Sequence, residues 1–258
     1  MMTANYHTHT KRCGHAKGED RDYIEAAIRA GIRVLGFSDH VPLPPGAPGS
    51  DPHVRMDPSL IGDYFASLLA LREEYAGRIE LHIGFEAEYL PSCFAELQAM
   101  LADRPCEYLL LGQHFLEDGE NGFYMGRPFD DARILERHVD SVLDAIDTGA
   151  FLYIAHPDIA NFTGDEKVYF AQARRLCRAA KEAGLPLEVN LLGMRELRWY
   201  PRGLFFEAAA EEGNTLVIGY DAHDPRHLGS RESREAEQDC RAFAADFGLT
   251  VLEELPLF

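Results

Sequence analysis

Strand-like and helix-like stretches alternate along almost the whole chain, and that alternation restricts the fold more than any other feature of the sequence. Apolar runs of strand length occur at 34–38, 79–86, 108–114, 151–156, 187–190 and 216–221. Between them lie stretches with 3.6-residue periodicity at 20–30, 58–76, 94–102, 131–147, 167–183 and 203–212. Several close on glycine (Gly31, Gly77, Gly149, Gly184, Gly213), a residue that takes the left-handed turn of a helix end without steric cost. A helical stretch at 231–247 and a strand-like one at 249–252 finish the chain. With the opening Asn5-Tyr6-His7-Thr8-His9 read as a strand, there are about seven strand–helix units without a break in composition. That pattern predicts an α/β fold with a parallel sheet in one domain over 1–258, and the number of units suits a closed barrel. No G-x-G-x-x-G follows the first strand, so a dinucleotide-binding fold has no support. The segment 41–58 holds six prolines and two glycines and reads as a long loop over one end of the barrel.

The balance of charge narrows the partners. Forty-three acidic residues against 25 basic ones give a formal net charge of −18. Such a surface repels nucleic acid and anionic lipid. No apolar run approaches the roughly 20 residues that span a membrane, and the N-terminus lacks a basic-then-apolar signal pattern. Five cysteines without a C-x-x-C pair fit a reduced, cytoplasmic protein. Oligomeric state is left open.

Histidines fall where a barrel does its chemistry. Residues two apart on a strand face one side, so His7 and His9 can converge, and His15 lies in the loop beyond. The second strand ends in Ser38-Asp39-His40, the third in Gly84-Phe85-Glu86, and the fourth in Gly112-Gln113-His114. The next ends in His156-Pro157-Asp158 and the last long one in Asp221-Ala222-His223. Seven of eleven histidines and two carboxylates thus sit at strand C-termini, which share one face in a parallel barrel. Convergent imidazoles and carboxylates point to a metal site of His7, His9, His15, His40, Glu86, His114, His156, Asp221 and His223. His53, His82, His138 and His227 fall in loops, on the opposite strand parity or on a helix, and read as ordinary residues. Cys13, close to the histidines, reads as a small buried residue.

Nine groups exceed the needs of one ion, which takes about four ligands, and with one bridging carboxylate they suit two or three. Three divalent ions less the charges of Glu86 and Asp221 leave roughly +4 in the pocket. That excess calls for an anionic guest, such as a phosphate ester, and for water ionised near pH 7.

These residues together resemble the PHP (polymerase and histidinol phosphatase) family, and the likeness covers nearly the whole chain. It implies a distorted seven-stranded (β/α) barrel of TIM-like kind, with the metal site at the C-terminal face of the strands. It implies two to three divalent transition-metal ions (zinc, iron or manganese): one on His7, His9, Glu86 and Asp221, one on Glu86, His114 and His156, and one on His15, His40 and His223. Glu86, Asp221 and His223 are the candidate catalytic residues. Gly36-Phe37-Ser38-Asp39-His40-Val41-Pro42, Asn190-Leu191-Leu192-Gly193-Met194-Arg195 and Tyr200-Pro201 look most like the monofunctional histidinol-phosphate phosphatases of histidine biosynthesis. By that likeness Arg195 grips the phosphate, with Arg198 and Arg202 as further candidates. Asn161 stands where those enzymes tend to carry a basic residue, and Tyr220 where serine is common.

The expected activity is hydrolysis of a small phosphomonoester, histidinol phosphate, with pocket walls drawn from Asp39, Glu88, Asp158, Phe115 and Tyr89. The alternatives are a phosphodiesterase or exonuclease acting on short nucleotides, and a non-catalytic metal-binding protein.

Overall fold

The computed structural model describes residues 2–51, 53–118 and 122–257. Its main sheet is parallel and holds β1 (Ala4–Asn5), β2 (Val34–His40), β3 (Glu80–Ala87), β4 (Tyr108–Leu111), β7 (Tyr153–Ile154), β8 (Leu187–Asn190), β9 (Thr215–Gly219) and β10 (Thr250–Val251), side by side in that order. A short antiparallel hairpin, β5 (Phe115–Leu116) with β6 (Phe123–Tyr124), lies between β4 and β7 in sequence. The helices are α1 (Asp20–Ala30), α2 (Ile61–Glu74), α3 (Phe94–Leu101), α4 (Ala132–Asp147), α5 (Glu166–Ala183), α6 (Leu191–Glu196), α7 (Gly203–Glu212) and α8 (Arg231–Asp246). Among the described residues no helix is long and apolar enough to cross a membrane.

The sheet has eight strands, which corrects the expected seven, and it curls without making a regular barrel. The reason lies at its two edges. Near the C-terminal ends of the strands, the His9 and Ala222 amides donate to Ala222 and His7 carbonyls, and Thr8 bridges Ala222 in parallel. There the first and ninth strand tracks meet. At the other end β10 pairs with β9 instead, and Tyr6 exchanges hydrogen bonds with the backbone of Leu255. The C-terminal segment therefore takes the edge that a closed barrel would give to β1.

Side-chain alternation builds the site in layers. On one face Val34, Tyr108, Leu110 and Val217 pack with Leu252 and Leu255 in a small apolar cluster at the N-terminal ends of the strands. The same parity leads along β2 to His40, along β3 to Glu86, and beyond β9 to Asp221. The opposite parity (Leu35, Phe37, Ile83, Phe85, Leu109, Ile218) belongs to the large core shared with the helices. Strand register sets His40 beside Glu86. Helix α5 is pinned at both ends: Asp165 accepts from the Lys167 and Val168 amides to start it, and Gly184 closes it at φ 70°.

Candidate metal centre

Glu86 stands at the middle of the cluster and is 1% exposed. Its Oε1 lies 2.8 Å from His156 Nε2 and 3.4 Å from His114 Nε2. Its Oε2 lies 3.0 Å from His40 Nδ1 and 3.5 Å from both His7 Nε2 and His9 Nε2. Gly112 makes room for this carboxylate, since a methyl group there would overlap Oε1. Asp221 is the second acidic member: its Oδ1 lies 3.2 Å from His9 Nε2, 3.6 Å from His7 Nε2 and 3.2 Å from His223 Nδ1. The rings of His15, His40 and His223 draw together beside His9. All nine sequence-predicted ligand residues thus gather at one place, and sets such as His7, His9 and Glu86, or His15, His40 and His223, have atoms close enough to share an ion.

Several of these atoms have no hydrogen-bond partner although they are buried: His7 Nε2, Glu86 Oε2 and His223 Nε2. Buried polar atoms are normally satisfied, and imidazole nitrogens facing carboxylate oxygens are the donor set of zinc and its neighbours in the transition series. The residues therefore fit divalent metal ions.

Carboxylates behind the histidines fix their rings. Glu188 accepts from His7 Nδ1 at 2.8 Å, and Glu88 from His114 Nδ1 at 3.1 Å. Asp39 lies 3.7 Å from His9 Nδ1 and takes the Thr10 hydroxyl and amide. A proton held on Nδ1 of His7 and His114 in this way leaves Nε2 with its lone pair toward the cluster. Glu88 is in turn paired with Arg55 Nη2 at 2.7 Å, and Arg55 also donates to the carbonyls of Val41 and Gly49. The proline-rich segment over the cavity is thereby tied to the ligand His114.

Charge within the cluster is unevenly held. Burial pushes Glu86 up, but His114, His40 and His7 together outweigh it and hold its carboxyl well below the usual range. Asp221 is held well below in the same way, by His7 and His223. Burial presses His7 and His9 down, yet Glu188 and Asp221 prevail, leaving His7 well above its ordinary value and His9 raised to about 9. At the third group burial wins: His15 falls to about 4, helped by His223 and His9, and His40 and His223 are lowered too. Metal binding at His7 and His9 would displace the proton that these carboxylates favour, whereas at His15, His40 and His223 burial already disfavours the charged ring.

The sequence pattern of the PHP domain matches residues 5–191, most of the chain. The chain belongs to the PHP family. A protein of Deinococcus radiodurans described as "Probable histidinol-phosphatase" is 32% identical over 235 residues, 87% of this chain and 88% of that one. The histidinol-phosphatase of Bacillus subtilis is 24% identical, over 89% and 96% of the two chains. In fold, the chain resembles the crystal structure of histidinol phosphate phosphatase from Lactococcus lactis in complex with zinc, L-histidinol and phosphate. The TM-score is 0.74 at 17% identity, covering 99% of both chains.

In this PHP-family chain the cluster floors a cavity of about 630 Å³. Of the three arginines singled out from sequence, Arg198 lines it, with Nη1 2.8 Å from the Tyr200 hydroxyl and Nη2 paired to Glu196. Arg195 is not among the lining residues, and its Nη2 lies 3.2 Å from Glu196 Oε1. Arg202 is engaged elsewhere: it donates to the Phe162 carbonyl at 2.8 Å and stacks over Tyr169, 3.8 Å from the ring centre. Its guanidinium thus serves the packing of α5 against the chain entering α7.

Of the expected walls, Glu88 and Phe115 line the cavity, whereas Tyr89 and Asp158 do not. Asp158, pushed up to about 7 by burial, accepts the Arg202 amide. Asn161 holds a turn, donating from Nδ2 to the Gly126 carbonyl at 3.2 Å. Sequence reasoning missed Arg55, Tyr124 and His227, which also line the cavity. His227 accepts the His223 amide at 3.1 Å. Tyr124 arrives on the β5–β6 hairpin, too short a pair of strands to carry a periodic signal.

Proposed function

We propose that this protein is a metal-dependent phosphatase that hydrolyses histidinol phosphate to histidinol and phosphate. One observation carries the reading most: a single buried carboxylate, Glu86, faces imidazoles at or just beyond the ends of four strands with both oxygens, at the floor of a cavity of small-metabolite size. The curated relatives matched along the length of the chain, described as histidinol-phosphatases, support the choice of substrate.

The residues divide the work by position. His7, His9, Glu86 and Asp221 would hold one ion, Glu86, His114 and His156 a second, and His15, His40 and His223 a third. Divalent ions there supply positive charge to the phosphoryl oxygens and lower the pKa of water toward neutrality. Glu86 faces the second group with Oε1 and the first with Oε2, which also lies beside His40 of the third, and so sets their spacing. Asp221 Oδ1 reaches both His9 of the first group and His223 of the third.

Arg198 presents its guanidinium at the wall, oriented by Tyr200 and Glu196, where an N–H fork suits a phosphate. Glu196 and Glu88 add negative charge around the amine of the substrate, and Phe115, Tyr124 and Tyr200 give flat faces for its imidazole. A pocket of this size suits a small metabolite better than a long polymer, in keeping with the chain's −18 charge.

The test is phosphate release from histidinol phosphate by the protein as purified, after removal of metal by chelator, and after return of zinc or manganese. Activity that vanishes and returns supports the reading. Metal-independent release, or none in the metal-replete protein, would reject it.

A further inference from the structure

Of strands β1 to β9 in the main sheet, β8 alone neither carries nor leads directly into a member of the metal-binding groups described above. It carries instead two buried polar residues, Glu188 and Asn190. Glu188 collects four donors. Its Oε1 accepts from His7 Nδ1 at 2.8 Å and from the Tyr153 hydroxyl at 3.2 Å. Its Oε2 accepts from the His156 backbone N–H at 2.9 Å and from Asn190 Nδ2 at 2.9 Å. Asn190 Nδ2 also stands 3.2 Å from Asp221 Oδ2. The next strand yields space for this carboxylate: a methyl on Gly219 would overlap Glu188 Oε1.

A second observation concerns the backbone. His156 and Asp221 have φ of 27° and 49°, in the left-handed region that side-chain-bearing residues rarely adopt. Such backbone persists only where its surroundings hold it, and it gathers at functional sites. Both residues are held from β8, His156 through its amide by Glu188 and Asp221 through its carboxylate by Asn190.

We propose that Glu188 is a positioning residue of the metal centre. It turns His7 Nε2 toward Glu86 and Asp221 and, with Asn190, keeps His156 and Asp221 in the backbone that lets His7, His156 and Asp221 meet at one point. The inference rests on reading the cluster as a metal centre. Glu188 touches neither ion nor substrate in this role; it acts through the ligands.

The experiment loads zinc into the wild type, Glu188→Gln and Tyr153→Phe, then dialyses each against graded chelator and measures zinc per chain. Metal-free forms are melted in parallel by circular dichroism. Glutamine keeps the volume but puts an amide donor where Glu188 receives N–H groups. Glu188→Gln is expected to release the zinc on the His7 and His156 groups at about 10- to 100-fold lower chelator than wild type, while zinc on His15, His40 and His223 follows the wild type. Tyr153→Phe removes one donor, leaves the His7 contact, and should track the wild type throughout. Asn190→Ser keeps a hydroxyl to cap α6, loses the contacts to Glu188 and Asp221, and should shift the same zinc in the same direction; it stands in if Glu188→Gln does not fold.

Retention curves that superimpose on wild type would overturn the inference. So would parallel loss of all zinc from Glu188→Gln and Tyr153→Phe in step with lowered metal-free melting, since that marks a purely structural carboxylate. A wild type that takes up no zinc, iron or manganese would overturn the metal-centre reading itself, a distinct result.

Discussion

Glu86 Oε1 stands 2.8 Å from His156 Nε2, although 70 residues separate them in the chain and one sits on β3 and the other just past β7. The other oxygen of the same carboxylate faces His7 and His9. One side chain therefore touches two sets of imidazoles. Glu86→Gln should cost the protein more metal than His15→Ala, because a carboxylate shared between groups would serve more than one ion and His15 only one. Elemental analysis of both variants after identical loading checks this; equal loss would mean that Glu86 is not shared.

The three arginines should separate in kinetics. Arg198→Ala should raise KM or lower kcat/KM for histidinol phosphate with metal content unchanged. Loss of a charge-assisted contact is worth about 2–4 kcal/mol, or roughly 30- to 1,000-fold. Lysine at that position should restore only part, since a point charge cannot reproduce the planar fork. Arg195→Ala should have a smaller effect, acting through Glu196, which it shares with Arg198. Arg202→Ala should lower the melting temperature and leave KM nearly untouched. An Arg198→Ala enzyme with wild-type kinetics would rule out Arg198 as the phosphate grip.

Acid should expose His138. It is buried in α4, and burial, helped by His114 and His156, lowers it to about 4 from an ordinary 6.5. The unfolded chain then binds this proton at a higher pH than the folded one, so stability is intact above pH 6.5 and falls as pH drops toward 4. The contribution is at most about 3 kcal/mol. Metal-free His138→Leu should show a shallower loss of stability than wild type between pH 6.5 and 4, read by urea denaturation at each pH. Parallel curves would show that His138 takes up its proton without unfolding.

Much of this was legible because the signals were local. Helix periodicity with capping residues gave α5 and α7 nearly to the residue, and the clustering of histidines at strand ends needed only the rule that parallel strands share a face. Glu86 and Asp221 could be placed because each closes an apolar run. Glu188 was not legible, because a lone carboxylate inside a strand carries no sequence mark of the residues it will meet. Nor was the edge of the sheet: that 250–257 displaces β1 at one end depends on the Tyr6–Leu255 exchange, across almost the full chain length. The stacking of Arg202 was not legible, because the sequence shows a cation near the site but not the Tyr169 ring that claims it. The helix α6 was hidden because Asn190 ends β8 and caps α6 at once, leaving no turn between them.

Substrate size should follow from the cavity. At about 630 Å³, lined by Arg198, Glu88 and aromatic rings, it suits a phosphorylated metabolite better than a long polymer. Single-stranded and duplex DNA should be cleaved at background rates under conditions in which small phosphomonoesters turn over. Processive cleavage of a long single strand would reverse this.

The most direct measurement is kcat/KM for histidinol phosphate set beside a panel of other phosphomonoesters and small phosphodiesters, on one preparation whose metal content is quantified. The account predicts that histidinol phosphate leads the panel and that diesters trail far behind. A diester or an unrelated monoester in first place, with the metal sites filled, would contradict it.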